Sequence, residues 1–192
     1  FQLSSGYTTQ PGNKRCVFTW NEQRFPNPKQ FFAEMEKRGV SVSPNVKPGL
    51  LLVHPLLEEM KKQDIFVKKS DGTGFAEGTW WGGKGLFADF TSAKTREVWK
   101  QYLKREVLDM GTASVWNDNC EYDSVVDKDS RVSFDGKGET IGHMKAVMSN
   151  LMCRLTNEAI REACPGKRPF VVCRSGHSGI QQYAQTWAGD NL

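Results

Sequence analysis

Ser114-Val115-Trp116-Asn117-Asp118-Asn119-Cys120-Glu121 is the stretch on which the fold turns: an apolar, β-favouring approach that runs straight into a Trp and two carboxylates. In a chain that alternates strand-like and helix-like segments, acids at strand ends are delivered to one face of a barrel. A second delivery closes the chain at Thr186-Trp187-Ala188-Gly189-Asp190. Trp-flanked aspartates at the ends of separate strands suggest carboxylate-pair chemistry on a sugar, in which one acid attacks or stabilises and the other moves a proton.

Outward from this stretch the periodicities alternate. Upstream, Ser92 caps a helix whose Val98, Trp99, Tyr102, Leu103 and Val107 form one stripe as far as Gly111. Pro28 starts an earlier helix, with Phe31, Phe32 and Met35 at helical spacing and Gly39 as its stop, and a short helix is expected over 56–62. The Gly-, Asp- and Ser-rich segment that follows, up to Gly85, reads as loop. Downstream, 123–142 is charged and weakly periodic, a surface excursion. Met144, Val147, Met148, Leu151, Met152, Leu155, Ala159 and Ile160 then give a long amphipathic helix ending before Pro165, its Met-rich side packed against the sheet. One or two helical turns are expected within 176–183.

Strands are expected at 1–4, 40–47, 113–118, 169–174 and 184–187, with helices between them. Repeated βα units imply a parallel sheet. An open doubly wound sheet carries a Gly-x-Gly-x-x-Gly turn after its first strand when it holds a dinucleotide, and this chain has none. The expected class is therefore α/β, a partial (β/α)8 barrel, with residues 1–192 forming part of one catalytic domain. A start at Phe1 instead of Met fits a piece of a longer chain.

Composition narrows the function classes. At 192 residues and 38% hydrophobic, the chain can bury a core. Its net charge of +4 comes from 26 bases and 22 acids scattered without a basic stripe, which argues against nucleic acid as partner. No apolar run is long enough to span a bilayer, so no membrane partner is expected. Cys16, Cys120, Cys153, Cys164 and Cys173 lack Cys-x-x-Cys pairing and are expected as free, buried thiols. His54, His143 and His177 show no metal-ligand spacing, so neither metal nor cofactor is expected.

Several motifs, taken together and in order, resemble family 31 of the glycoside hydrolases, the α-glucosidase family. They are Val17-Phe18-Thr19-Trp20-Asn21 with Arg24-Phe25-Pro26, Asn45-Val46-Lys47-Pro48-Gly49-Leu50, Asp89-Phe90-Thr91, Trp116 to Glu121, Arg174-Ser175 and Trp187-Ala188-Gly189-Asp190. The resemblance covers essentially the whole chain and implies the catalytic barrel from about its second to its sixth strand. It implies a retaining exo-α-glycosidase, with Asp118 as nucleophile and Asp190 as acid/base, their carboxyls about 5 to 5.5 Å apart. It also implies that Arg174 holds a substrate hydroxyl, that Trp81, Trp116 and Trp187 line the sugar pocket, and that Glu121 supports the nucleophile strand. Asp89 aligns with a structural segment and is expected to cap the helix near Ser92.

Two positions depart from the family pattern. Lys47 stands at a strand end where many members carry an aspartate, and Ser4 where an acid is common; a cation cannot accept a hydroxyl proton as a carboxylate does. Lys47 either contacts substrate or pairs with an acid such as Asp118, and Ser4 is a weaker polar substitute. Asn119 and Cys120 also differ from other members. The implied partners are an oligosaccharide or α-glycoside substrate and the remainder of the barrel with its flanking domains. A transglycosylase, a relative acting on α-galactosides or α-xylosides, and a non-catalytic carbohydrate-binding fragment remain as alternatives.

Overall fold

The computed structural model describes residues 1–9, 11–80 and 82–189. Trp81 and Asp190 lie outside the described residues. Along the chain, β1 (Gln2–Leu3) leads to α1 (Pro28–Lys37), then β2 (Ser43–Val46), β3 (Gly49–Leu51) and α2 (Leu57–Lys62). Next come β4 (Glu77–Trp80), β5 (Gly83–Phe87), α3 (Ala93–Glu106) and β6 (Ser114–Asn117). The hairpin β7 (Arg131–Val132) and β8 (Glu139–Thr140) precedes α4 (Ile141–Ala163), β9 (Phe170–Cys173) and β10 (Gln185–Thr186).

The main sheet has five strands in the order β1-β2-β6-β9-β10, and every pairing is parallel. Spatial order follows chain order with no reversal. A doubly wound sheet needs a switch point where the order turns back, whereas a barrel winds in one direction. The described sheet is an arc of such a barrel.

Local chemistry builds the elements as read. Asn27 caps α1 by accepting the Gln30 N–H at 3.1 Å, with Pro28 in the first turn, and Gly39 follows the helix at φ 72°. Ser92 caps α3 through the Thr95 N–H at 3.4 Å. On α4, Met148, Met152, Leu155 and Ala159 are buried at spacings of four, three and four, so the Met-bearing face packs inward. Trp99 on α3 is fully buried against Phe18 and Phe90.

The segment up to Gly85 is not the expected loop. It supplies β4 and the start of β5, which with β3 form an antiparallel sheet in the order β3-β5-β4. Its glycines misled the reading because they serve close approach within strands, not turns. A Cβ on Gly85 would stand 2.3 Å from the Trp80 ring and 2.4 Å from the Leu50 carbonyl; on the facing strand β3, one on Gly49 would stand 2.1 Å from the Leu86 carbonyl. The 123–142 excursion likewise carries the β7-β8 hairpin, tied down where Lys68 and Arg131 exchange backbone hydrogen bonds of 2.9 and 2.8 Å. Within 176–183 the chain makes a single 3₁₀ turn, Ile180–Gln182.

Candidate active site

Register decides which strand-end side chains meet. Asn117 on β6 donates to Thr156 on α4 at 3.1 Å, so position 117 faces the helix layer. Side chains alternate along a strand, so Trp116 and Asp118 face the opposite, inner side. Asn45 pairs with Trp116, and Asn117 with Cys173, in the parallel register. The same parity turns Asn45 and Lys47 from β2, and Arg174 from β9, to the inner side with Asp118.

There the charged groups interleave. Asp118 is buried, and its Oδ2 accepts from Asn45 Nδ2 at 2.9 Å and from the ammonium of Lys47, itself buried. Lys47 also donates to Asn119 Oδ1. The other carboxylate oxygen, Oδ1, accepts the Asn119 N–H at 2.9 Å and lies 3.9 Å from Arg174 Nη1. Arg174 Nε holds Glu121 Oε1 at 2.8 Å. Burial lifts the Glu121 carboxyl above the ordinary glutamate range, against the opposing pull of its own N–H and of Arg174. Acid and base therefore alternate along Lys47, Asp118, Arg174 and Glu121, and each buried or half-buried charge has an opposite neighbour.

A cavity of about 680 Å³ opens beside this row, with Asn119, Glu121, Arg174 and Trp187 in its wall. Asp118 is not itself part of that wall. The Trp187 N–H donates to the Cys173 carbonyl at 3.2 Å, which draws the last described segment along β9. Gly189 follows at φ 82°, and a Cβ there would stand 2.8 Å from Arg174 Nε, so a glycine is needed for the backbone to pass over the guanidinium.

The residues named from sequence separate at this point. Lys47, Asp118, Glu121 and Arg174 come together, and Lys47 takes the acid-pairing alternative. Trp116 and Trp187 meet with ring centroids 5.6 Å apart at 60°. Trp187 reaches the cavity wall; Trp116, also expected there, does not. Ser4 is exposed at the end of β1 and is not in the wall, and its carbonyl accepts the Tyr7 N–H. Asp89 does not cap α3. Its carboxylate braces the excursion instead, accepting from the Thr91 N–H and hydroxyl and from the Ser133 N–H at 2.6 Å. Ser92 and Asp135 serve the start of α3, the latter accepting the Ala93 N–H at 2.6 Å.

Asn45 had no role from sequence, and Asn119 stood out only as a departure from the family pattern. The alternation of β2, with Asn45 two positions before Lys47, was the signal available for the first. Trp80 also lines the cavity, one position before the Trp81 that was named. The cysteines are free, and Cys120, Cys153 and Cys173 are buried, with burial pushing the Cys120 thiol well up. Among the described residues no cluster of His, Cys, Asp and Glu is arranged to hold a metal ion, and no helix is long and apolar enough to cross a membrane.

The TIM-barrel domain description of glycosyl hydrolases family 31 matches residues 1–192. The chain belongs to glycosyl hydrolase family 31. Alpha-glucosidase 2 of Bacillus thermoamyloliquefaciens is 35% identical over 182 residues, an alignment covering 91% of this chain and 23% of that protein. A family 31 α-glucosidase structure from Bacteroides thetaiotaomicron superposes with a TM-score of 0.73 at 30% identity, over 99% of this chain and 30% of that one. The glucosidase II alpha subunit with Glc1Man2 bound gives 0.82 at 25% identity, over 100% and 21%. The family 31 barrel arc described here thus spans a fifth to a third of the length of these relatives.

Proposed function

We propose that this arc is the nucleophile-bearing part of a retaining exo-α-glycosidase of the α-glucosidase type, acting on terminal α-linked glucosyl units of oligosaccharides. The observation that carries the reading is the Asp118 carboxylate, buried at the inner end of β6 yet matched by cations on both sides, Lys47 on Oδ2 and Arg174 near Oδ1. Burying an acid costs several kcal/mol unless it is paired. An acid buried for packing alone is better replaced by an apolar residue; one kept ionised at a strand end next to a sugar-sized cavity suits nucleophilic attack. The α-glucosidase names of the relatives support the substrate class.

In the proposed reaction an oxygen of Asp118 forms a bond to the anomeric carbon as the glycosidic C–O bond breaks, and Asp190 gives its proton to the leaving oxygen. Water then attacks the same carbon, its proton passes to Asp190, and the Asp118 ester bond breaks. The passage of Gly189 over Arg174 supports the role given to Asp190, because it brings the preceding residue to the guanidinium. Arg174 opposes charge on the inner face and offers donors to a sugar hydroxyl. Trp187, and by sequence Trp81, offer flat apolar faces to the pyranose. The rest of the barrel and its flanking domains complete the pocket. Because Lys47 is held by Asp118, it does not replace the carboxylate that other members offer to outer sugar hydroxyls, and the glucosyl unit is bound without that contact.

The test is an assay of the enzyme carrying this domain on aryl α-glycosides, with Asp118→Asn and Asp190→Asn beside it. Asp118→Asn loses turnover on every substrate, on the order of 10⁴-fold or more. Asp190→Asn spares substrates with good leaving groups far more than poor ones. Equal activity of all three proteins rejects the reading, and sugar binding without turnover by the unaltered enzyme turns it towards a carbohydrate-binding role.

A further inference from the structure

We propose that Lys47 and Asn119 are positioning residues that fix the Asp118 carboxylate by Oδ2, leaving Oδ1 as the oxygen that attacks the anomeric carbon. This rests on Asp118 being the nucleophile and adds which of its oxygens reacts and what holds it. A carboxylate oxygen has two lone-pair sites. On Oδ2 both are taken, by Asn45 Nδ2 and by the Lys47 ammonium. On Oδ1 one is taken, by the Asn119 N–H; the nearest cation on that side, Arg174 Nη1, stays at 3.9 Å, beyond hydrogen-bond length. Arg174 is drawn the other way by Glu121, which holds its Nε at 2.8 Å. The open lone pair of the nucleophile is thus on Oδ1.

Asn119 supplies the second half of the device. Its backbone is left-handed, φ 55°, a conformation that Asn adopts more readily than most residues. The turn lets one residue act twice: its N–H binds Oδ1 of Asp118 and its side-chain carbonyl accepts from Lys47. The chemistry uses both contacts. When Oδ1 bonds to the anomeric carbon and the aglycone leaves, the carboxylate charge disappears into an ester whose carbonyl oxygen is Oδ2. Lys47 still donates to that oxygen, drawing electron density from the ester and easing the departure of Asp118 when water attacks. Asn119 Oδ1 keeps an acceptor on the buried ammonium while its counter-charge is gone. A cation on Oδ2 therefore favours the ionised carboxylate before attack and the second displacement after it, without capping the attacking oxygen.

The experiment is steady-state and burst kinetics of the enzyme carrying this domain, with Lys47→Met, Lys47→Arg, Asn119→Leu and the Lys47→Met/Asn119→Leu double variant. An activated aryl α-glucoside makes the second displacement rate-limiting. Lys47→Met is expected to lower kcat on the order of 10²-fold and to lower KM with it, because the glycosyl-enzyme accumulates and is seen as a mass increase on the intact protein. Lys47→Arg, which keeps a cation on Oδ2, restores most of kcat and does not accumulate the glycosyl-enzyme. Asn119→Leu shifts both quantities in the same direction by less, and adds nothing in the Lys47→Met background. An unchanged ratio of kcat to kcat/KM in Lys47→Met, with no mass increase on the intact protein, overturns the proposal, as does an Asn119→Leu effect that persists undiminished in the double variant. Should Lys47→Met not fold, Lys47→Arg with Asn119→Leu decides it by the same ratio. Asp118→Asn in the same assay judges the nucleophile separately: if it remains active the reading of the site fails, and if it is dead while Lys47→Met behaves as wild type only the clamp fails.

Discussion

The inner strand ends and the antiparallel flank beside them both bury titratable side chains, but they settle those side chains in opposite ways. At the strand ends Lys47, Asp118, Arg174 and Glu121 are matched charge against charge. In the flank the partners are backbone groups. His54 accepts the Leu56 N–H on Nδ1 at 3.1 Å, so its Nε2 carries the proton and donates to the Val17 carbonyl at 2.7 Å. Both ring nitrogens are used by the neutral form, and burial pushes the ring down to about 4. Asp89 is surrounded by N–H and hydroxyl donors, and burial still raises its carboxyl. Charge paired with charge keeps ionised groups ready for a reaction; charge or dipole paired with backbone fixes a loop. On the proposed reading, the difference separates the buried acids that serve chemistry from those that serve shape.

The sharpest way to break this contrast is Arg174→Met. Removing the guanidinium is expected to lower kcat/KM on the order of 10³-fold while moving the melting temperature little, because Asp118 keeps Lys47, and Glu121, whose carboxyl burial already raises, can take up a proton. A large fall in stability with activity intact would place Arg174 in the structural class instead. Asp89→Ala is expected to behave in the mirror sense. It strips the acceptor from the Thr91 and Ser133 N–H groups and frees the 123–142 excursion, at a cost of about 3 kcal/mol in urea unfolding. The folded fraction should keep nearly normal kcat.

His54 gives a smaller, pH-dependent effect. Its folded-state value lies below the unfolded one, so below about pH 6.5 the unfolded chain takes up a proton that the folded ring refuses. Stability therefore falls as the pH drops from about 6.5 to about 4, by at most about 3 kcal/mol, and flattens below that. His54→Gln removes this component. Unfolding midpoints at pH 7 and pH 4.5 should differ less in the variant than in the wild type, and an equal difference would show that the ring is not held neutral.

How far the site was legible follows from the range of each interaction. The Trp-Asn-Asp strand end, the Ser92 cap and the α4 stripe are local patterns, and they appear where periodicity put them, except that Val147 of the stripe is exposed. The ends of Lys47's two choices were both visible, but which it takes depends on Asp118, a partner on the neighbouring strand. Asp89 looked like a cap because the helix start lies three residues on; its actual partner, Ser133, is reached only once the excursion folds back. The glycines of 74–85 read as loop because composition does not distinguish a glycine that turns the chain from one that lets two strands and a Trp ring close together.

The amino-acid sequence by itself determined the alternation of strands and helices, the acids at their ends and the kinship with family 31, because each resides in short-range order along the chain. Tertiary structure alone decided that Lys47 neutralises Asp118, that Glu121 restrains Arg174 and that Asp89 braces a loop. Those outcomes depend on the register between strands far apart in the chain, and register is fixed by burial of the whole sheet, not by any one segment.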